Sequence, residues 1–122
     1  MNESILASIK KLLGLTEEYE VFDNDVIIHI NIVLSLLHQL GVGPDKGFRI
    51  QDETAKWSDY VGDDPRLEMV KEYVYLKVRL LFDPPTMSSV LESYKQVISE
   101  LEHRIVVAID EIKAEEVKNQ NE

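Results

Sequence analysis

Tyr73-Val74-Tyr75-Leu76-Lys77-Val78-Arg79-Leu80-Leu81-Phe82-Asp83-Pro84-Pro85 decides how the rest of the chain must be arranged. Successive residues of an α-helix are about 100° apart, so apolar residues at almost every position leave no wholly solvated face. Such a helix must be covered on several sides. In a chain of 122 residues, part of that cover can come from other copies or partners, which favours an assembly component over an enzyme. Pro84 disfavours helical geometry at Asp83, and Pro85 reinforces the stop. Upstream, Asp64 is a suitable N-cap, Pro65 fits the first helical position and Glu68 falls in the first turn. The sequence thus predicts one helix from Pro65 to Asp83, about 28 Å long. Its two cations, Lys77 and Arg79, point roughly 200° apart and cannot form one basic patch. Either both snorkel to water, or Arg79 pairs with a carboxylate across a subunit boundary, where a planar bidentate donor is favoured.

After the prolines, Ser89-Val90-Leu91-Glu92 reads as a capping box. Leu91, Tyr94, Ile98, Leu101, Ile105, Ala108 and Ile112 then recur at spacings of three and four. This is a seam suited to packing at about 20° against the central helix, widened by Val90, Val97 and Ile109. From Lys113 to Glu122 the chain turns polar, giving a helical domain over 1–112 and a flexible tail over 113–122. Before the central helix, Asp23 to Leu40 predicts a second long helix, with Phe22 and Ile27 placed as a hydrophobic staple and Gly41 as its stop. Val26, Ile27, Ile30, Val33, Leu34, Leu37 and Leu40 share its main apolar face, and Asn31, Ser35, His38 and Gln39 lie opposite. Ile32 and Leu36 form a separate apolar shoulder, which suits either a packing neighbour within the monomer or a subunit contact. Residues 2–13 predict a short first helix capped by Asn2 or Ser4, with the stripe Ile5, Ile9, Leu12, Leu13 and a glycine ending at Gly14-Leu15. The stretch from Gly41 to Asp64 lacks long-range period. A loop of that length is usually functional or carries small elements of its own; an extended piece at Phe48–Ile50 and a helical turn near Thr54–Tyr60 are expected. The fold class is therefore all-α, a small bundle of about four helices with a long loop between the second and third.

Composition narrows the function. The chain has no cysteine, which excludes disulfide frameworks and thiolate metal sites. A net charge of −10 opposes non-specific nucleic-acid binding, which needs a basic surface. Val26 to Pro44 carries no Asp, Glu, Lys or Arg, yet its polar residues gather on one face, as in a buried amphipathic helix rather than a membrane span. The N-terminus has neither the basic region nor the apolar core of a signal peptide.

Chemistry has no strong candidate. Asp25 and His29 are one helical turn apart, but no third ligand stands near them, and His38 and His103 have no local partners. The Gly41–Gly47 loop follows a helix and lacks the Gly-Lys-Ser/Thr ending of a phosphate loop. No nucleophile elbow or zinc-protease signature occurs. No catalytic residue, metal or cofactor is expected.

Three stretches resemble the head–tail connector (adaptor) proteins of tailed phages and prophages: Ser4-Ile5-Leu6 through Leu13-Gly14-Leu15, the Asp25-to-Leu40 helix closing in Gln39-Leu40-Gly41-Val42-Gly43-Pro44, and Val70 through Pro85. The similarity runs from about residue 4 to residue 105, and its most specific parts are the Tyr-Leu-Lys-Val-Arg-Leu-Leu-Phe-Asp-Pro-Pro block and the Gly-Val-Gly-Pro loop. The resemblance implies a mostly helical subunit that assembles, typically in twelve copies, into a ring beneath the portal at the capsid vertex. Such a ring extends the DNA channel, lets DNA pass without specific binding, and offers a surface to the next neck or tail protein. It implies a virion protein of the neck, present in the host cytoplasm during assembly, with no membrane role. On that reading Ile32, Leu36, Tyr75 and Arg79 are expected at the subunit interface, and Phe48, Trp57 and Val117 at contacts with the portal or tail-side partner. The competing reading is a small cytosolic helical protein-binding or regulatory module.

Overall fold

The double proline stops its helix. In the computed structural model, which describes residues 1–121, helix α4 runs Met69–Phe82 and Asp83 leaves helical geometry at φ −152°, ψ 73°. The other helices are α1 (Ile5–Leu12), α2 (Asp23–Gln39), α3 (Trp57–Val61) and α5 (Ser88–Gln120). A 3₁₀ turn at Pro65–Leu67 precedes α4. The architecture is all-α, as expected, with the anticipated helical turn of the long loop realised as α3.

Helix α4 is the centre of the bundle. It packs on α2 and α5 and also touches α1. Val70, Tyr73, Val74, Leu76 and Val78 are buried, an arc wide enough to meet two long helices at once. From α2 come Val26, Ile30, Val33, Leu34 and Leu37, and from α5 Ile98, Ile105, Ala108 and Ile109. The seam of α5 therefore packs within the monomer. Both stray cations of α4 are also taken up by α5: Lys77 Nζ stands 4.0 Å from Glu102, and the Arg79 guanidinium lies 5.9 Å from the Tyr94 ring centre.

The first helix ends as predicted. Gly14 sits at φ 84°, Leu15 N–H donates to Lys10 O at 2.9 Å and Gly14 N–H to Lys11 O at 3.1 Å, the paired bonds of a Schellman ending. Its N-cap is Ser4, whose hydroxyl accepts from Ala7 N–H.

Several boundaries differ from the sequence reading. Helix α2 starts at Asp23, as expected, with Phe22 at the N-cap position, and it ends at Gln39 rather than Leu40. The Asp23 carboxylate meets the buried Lys10, with Nζ 2.7 Å from Oδ1; a buried ammonium needs its counter-ion more than the helix needs a cap. The Asp64 carboxylate accepts from Arg66 N–H at 2.9 Å, but the turn it caps closes through i to i−3 bonds, Leu67 N–H to Asp64 O and Glu68 N–H to Pro65 O. The expected single helix from Pro65 is thus a 3₁₀ turn followed by α4. The predicted box at Ser89–Glu92 is not used. The first bond of α5, Leu91 N–H to Met87 O at 3.0 Å, makes Met87 the N-cap and places Ser89 inside the helix. Residues 113–122, expected as a polar tail, continue α5 through Gln120, and Glu122 lies outside the described residues.

Candidate assembly surfaces

The apolar shoulder of α2 is not covered. Ile32 and Leu36 are 45% and 39% exposed, and Ile28, one turn earlier, is 56% exposed. These three occupy positions i, i+4 and i+8, a single row along the helix. Beside them the chain from Lys46 to Gln51 forms a wall, and together they enclose an open groove lined by Ile28, Asn31, Ile32, Leu36, Phe48 and Arg49 among others. Residues expected at two different contacts, Ile32 and Leu36 on one hand and Phe48 on the other, therefore share one surface. Ile28 was missed, although its spacing from Ile32 carries the same signal as that of Leu36.

The wall is held by a residue that lies opposite the main apolar face on the helical wheel. Asn31 Nδ2 donates to Ile50 O at 2.9 Å, and Ile50 N–H donates to Asn31 Oδ1 at 2.8 Å. One side-chain amide thus does for Ile50 what a neighbouring strand would do, and the expected extended piece at Phe48–Ile50 joins no sheet. Farther along, His38 Nε2 lies 2.9 Å from Asp45 O. The polar face of α2 anchors the loop. A mid-helix asparagine in a span without charges was the available clue, since a polar amide among aliphatic residues needs a partner.

Behind the wall, Phe48 stacks on Tyr60 with ring centres 5.0 Å apart. Gly43, at φ 87°, lets the loop come against that ring; a Cβ there would stand 2.5 Å from Tyr60 Cε1. Burial pushes the Tyr60 hydroxyl above its usual pKa.

Tyr75 and Arg79 do not line the groove. They form a second cluster at the end of α4. Arg79 Nε donates to Asp83 O at 2.8 Å and its NH1 lies 3.3 Å from the Tyr75 hydroxyl. This places a cation on the negative end of α4. The Arg79 pKa is raised, first by the hydrogen bond to Tyr75.

Trp57 requires a correction. Expected at a partner contact, it is fully buried. Its Nε1–H donates to Ser8 Oγ at 2.7 Å. Backbone bonds stitch the N-terminus alongside it: Ile5 N–H to Ala55 O at 2.9 Å and Trp57 N–H to Glu3 O at 3.1 Å. An aromatic residue in a polar loop looked like a surface anchor because the sequence did not show that α1 and the N-terminal strand-like residues would close over it. Val117 is 58% exposed, on the last turns of α5 and apart from the groove. That end of α5 is fastened by Arg66, which reaches Glu115 Oε1 and Oε2 at 2.9 Å each while also holding Asp64 at 2.8 Å.

Among the described residues, no group of three His, Asp or Glu could hold a metal ion, and no helix is long and apolar enough to cross a membrane. His29 packs edge-on to Phe82 with ring centres 6.3 Å apart, and its Nδ1 is buried without a hydrogen-bond partner, so it does not pair with Asp25 through that atom.

In a comparison with known protein families, the family model described as phage connector protein aligns with residues 5–111. The aligned region spans all five helices except the last turns of α5. Neither the curated proteins nor the solved structures yield a match.

Proposed function

The chain belongs to the phage head–tail connector family, and from that premise we propose that it is a connector subunit that forms a ring, typically of twelve copies, beneath the portal of a tailed phage. In this role it extends the DNA channel and joins the head to the neck or tail-completion protein. It resides in the virion neck and passes through the host cytoplasm during assembly. Connectors are structural proteins, and the proposed role here is likewise non-catalytic.

The observation that carries this reading is the family match over residues 5–111. The uncovered row Ile28, Ile32, Leu36 supports it, because apolar area left open beside a closed core is the mark of an interaction surface. Tyr75 and Arg79 offer a second, more polar contact region. The net charge of −10 suits a channel through which DNA slides without adhering, since phosphates are repelled by an acidic wall. Phe48 and Val117 remain the proposed points of contact with the portal or tail-side partner.

The test is electron microscopy of the protein mixed with its cognate portal. The expected image is an added ring on one face of the portal. Substituting Arg79 by Ala should weaken ring assembly while leaving a folded helical monomer. Portal particles that acquire no added density at saturating protein would overturn the proposal.

A further inference from the structure

The charges on the groove rim and those on the linker before α2 are both left unpaired within the monomer. Among the described residues, no ion pair engages Lys46 or Arg49, and none engages the side chains of Glu17, Glu18 or Glu20. The cations stand on the rim of the α2 groove, whose lining contains no Asp or Glu. In a chain of net charge −10, a groove lining that carries Lys46 and Arg49 but no carboxylate is a local exception. The carboxylates stand on Thr16-Glu17-Glu18-Tyr19-Glu20-Val21-Phe22, which contains no cation. That linker also displays apolar side chains: Val21 is 70% exposed and Tyr19 45% exposed.

We propose that the groove on α2 receives residues 17–22 of a second copy of this chain. The inference deepens the ring reading and rests on it. Groove and linker match in both terms of recognition. Tyr19 and Val21 are the exposed apolar side chains of the linker, and they complement the open row Ile28, Ile32, Leu36. Glu17, Glu18 and Glu20 bring the charge opposite to that of Lys46 and Arg49 at the rim, and opposite charges steer and orient association. The linker is presented in a fixed shape. Lys10 Nζ donates to Glu17 O at 3.0 Å, Asp23 N–H donates to Glu20 O at 3.1 Å, and Phe22 rests edge-on against Phe82 with ring centres 5.5 Å apart.

The symmetry follows from the parts. Groove and linker are different patches of one molecule, so the contact is heterologous, and repeated heterologous contacts close into a ring when the rotation permits. A six-residue contact falls below the roughly 1,200 Å² of total buried area typical of stable pairs. The isolated protein is therefore weakly associating, and neighbours lock when a docked ring holds them side by side.

The absence of cysteine makes the test direct. Chains carrying only Val21→Cys are mixed with chains carrying only Ile32→Cys, at high concentration and again on cognate portal, under mild oxidation. The expected result is a disulfide-linked pair in several-fold greater yield than from Val21→Cys mixed with Ser99→Cys, an exposed position outside both patches. Adding Lys46→Glu and Arg49→Glu to the Ile32→Cys chain should lower that yield. Reversing Glu17, Glu18 and Glu20 to Lys in the Val21→Cys chain should then restore it. A yield no better than the control, or one indifferent to charge reversal, overturns the inference. So does capture of the Ile32→Cys chain by the portal or a neck protein instead of a second copy. Rings visible on the portal but without the 21–32 link would sink this contact and leave the ring reading standing. No ring from the unmodified protein would sink both.

Discussion

The two faces of α2 use the same kinds of residue to opposite ends. Val26, Ile30, Val33 and Leu37 are wholly buried against the bundle, whereas Ile28, Ile32 and Leu36, interleaved with them, stand open to solvent. Hydrophobicity alone does not separate the two sets. What separates them is α4: its broad apolar arc can be satisfied on one side by α2 and on another by α5, which leaves no helix of the monomer to cover the second row of α2. The difference teaches that exposure on this helix is set by which neighbours the bundle supplies, and the open row is the surface proposed above for contact outside the monomer.

The strongest way to break that comparison is to shorten one side chain on each face. Ile30→Ala removes buried methyl groups from a close-packed site and is expected to destabilise by about 2–5 kcal/mol. Ile32→Ala should stay within roughly 0.5 kcal/mol of the parent, while diminishing ring assembly on portal. Urea denaturation of the two variants checks the first half, and micrographs of portal mixtures the second. A large stability loss in Ile32→Ala would mean that the open row belongs to the core after all.

A smaller effect is expected from Asn31, which faces neither the closed core nor open water. Asn31→Ala leaves the N–H and C=O of Ile50 without their partner, at a cost of about 1–3 kcal/mol for groups kept from solvent. The wall of the groove should loosen as well. Amide hydrogen exchange would register this as faster exchange at Ile50, with α4 unaffected. Gly43→Ala belongs to the same range. It forces an alanine to φ 87° and against the Tyr60 ring, and strain of that kind costs of order 1–3 kcal/mol. Near-ultraviolet circular dichroism should report the displaced Phe48–Tyr60 pair.

How far the sequence reached depended on whether a residue's partners were near it in the chain. The α4 stop, the Gly14 ending and the seam of α5 are local or periodic features, and each stands where the pattern placed it. The exposed shoulder at Ile32 and Leu36 was legible as a second row, though the wheel could not say whether another helix would cover it. Trp57, Asn31 and Lys10 were not legible. Trp57 finds Ser8 across 49 residues and Asn31 finds Ile50 across 19. Lys10 stands in the last turn of α1, where a cation suits the helix dipole, yet it is 2% exposed and committed to Asp23. In all three the deciding partner comes from another part of the fold, and no spacing rule names it. The resemblance to connector proteins named the family where periodicity could not.

The smallest expected effect lies at the far end of α5, and it tests whether the groove is independent of the rest. Arg66 joins the 3₁₀ turn to Glu115, and its removal in Arg66→Ala should change stability little at neutral pH, because exposed ion pairs contribute little. The pH dependence has a definite sign. The Arg66 guanidinium holds the Asp64 carboxyl below its ordinary 3.8 and the Glu115 carboxyl below its ordinary 4.5. Glu3 is likewise lowered, to about 2, chiefly by its hydrogen bond to the N-terminal ammonium. Carboxylates depressed in the folded state bind fewer protons than in the unfolded chain. Their contribution is therefore complete above the unfolded values and is lost as pH falls through the folded ones. Between pH 6 and 8 stability should be insensitive to these groups. Below about pH 4.5 it should decline, and less steeply in Arg66→Ala than in the parent, because Asp64 and Glu115 would then titrate nearer their ordinary values. Thermal melts from pH 7 to pH 2.5 on the two proteins measure the difference. If cross-linking between Val21→Cys and Ile32→Cys chains at pH 7 is unchanged by Arg66→Ala, the groove is a separate device from the clamp; if it falls, α5 and the open face of α2 are coupled through the bundle.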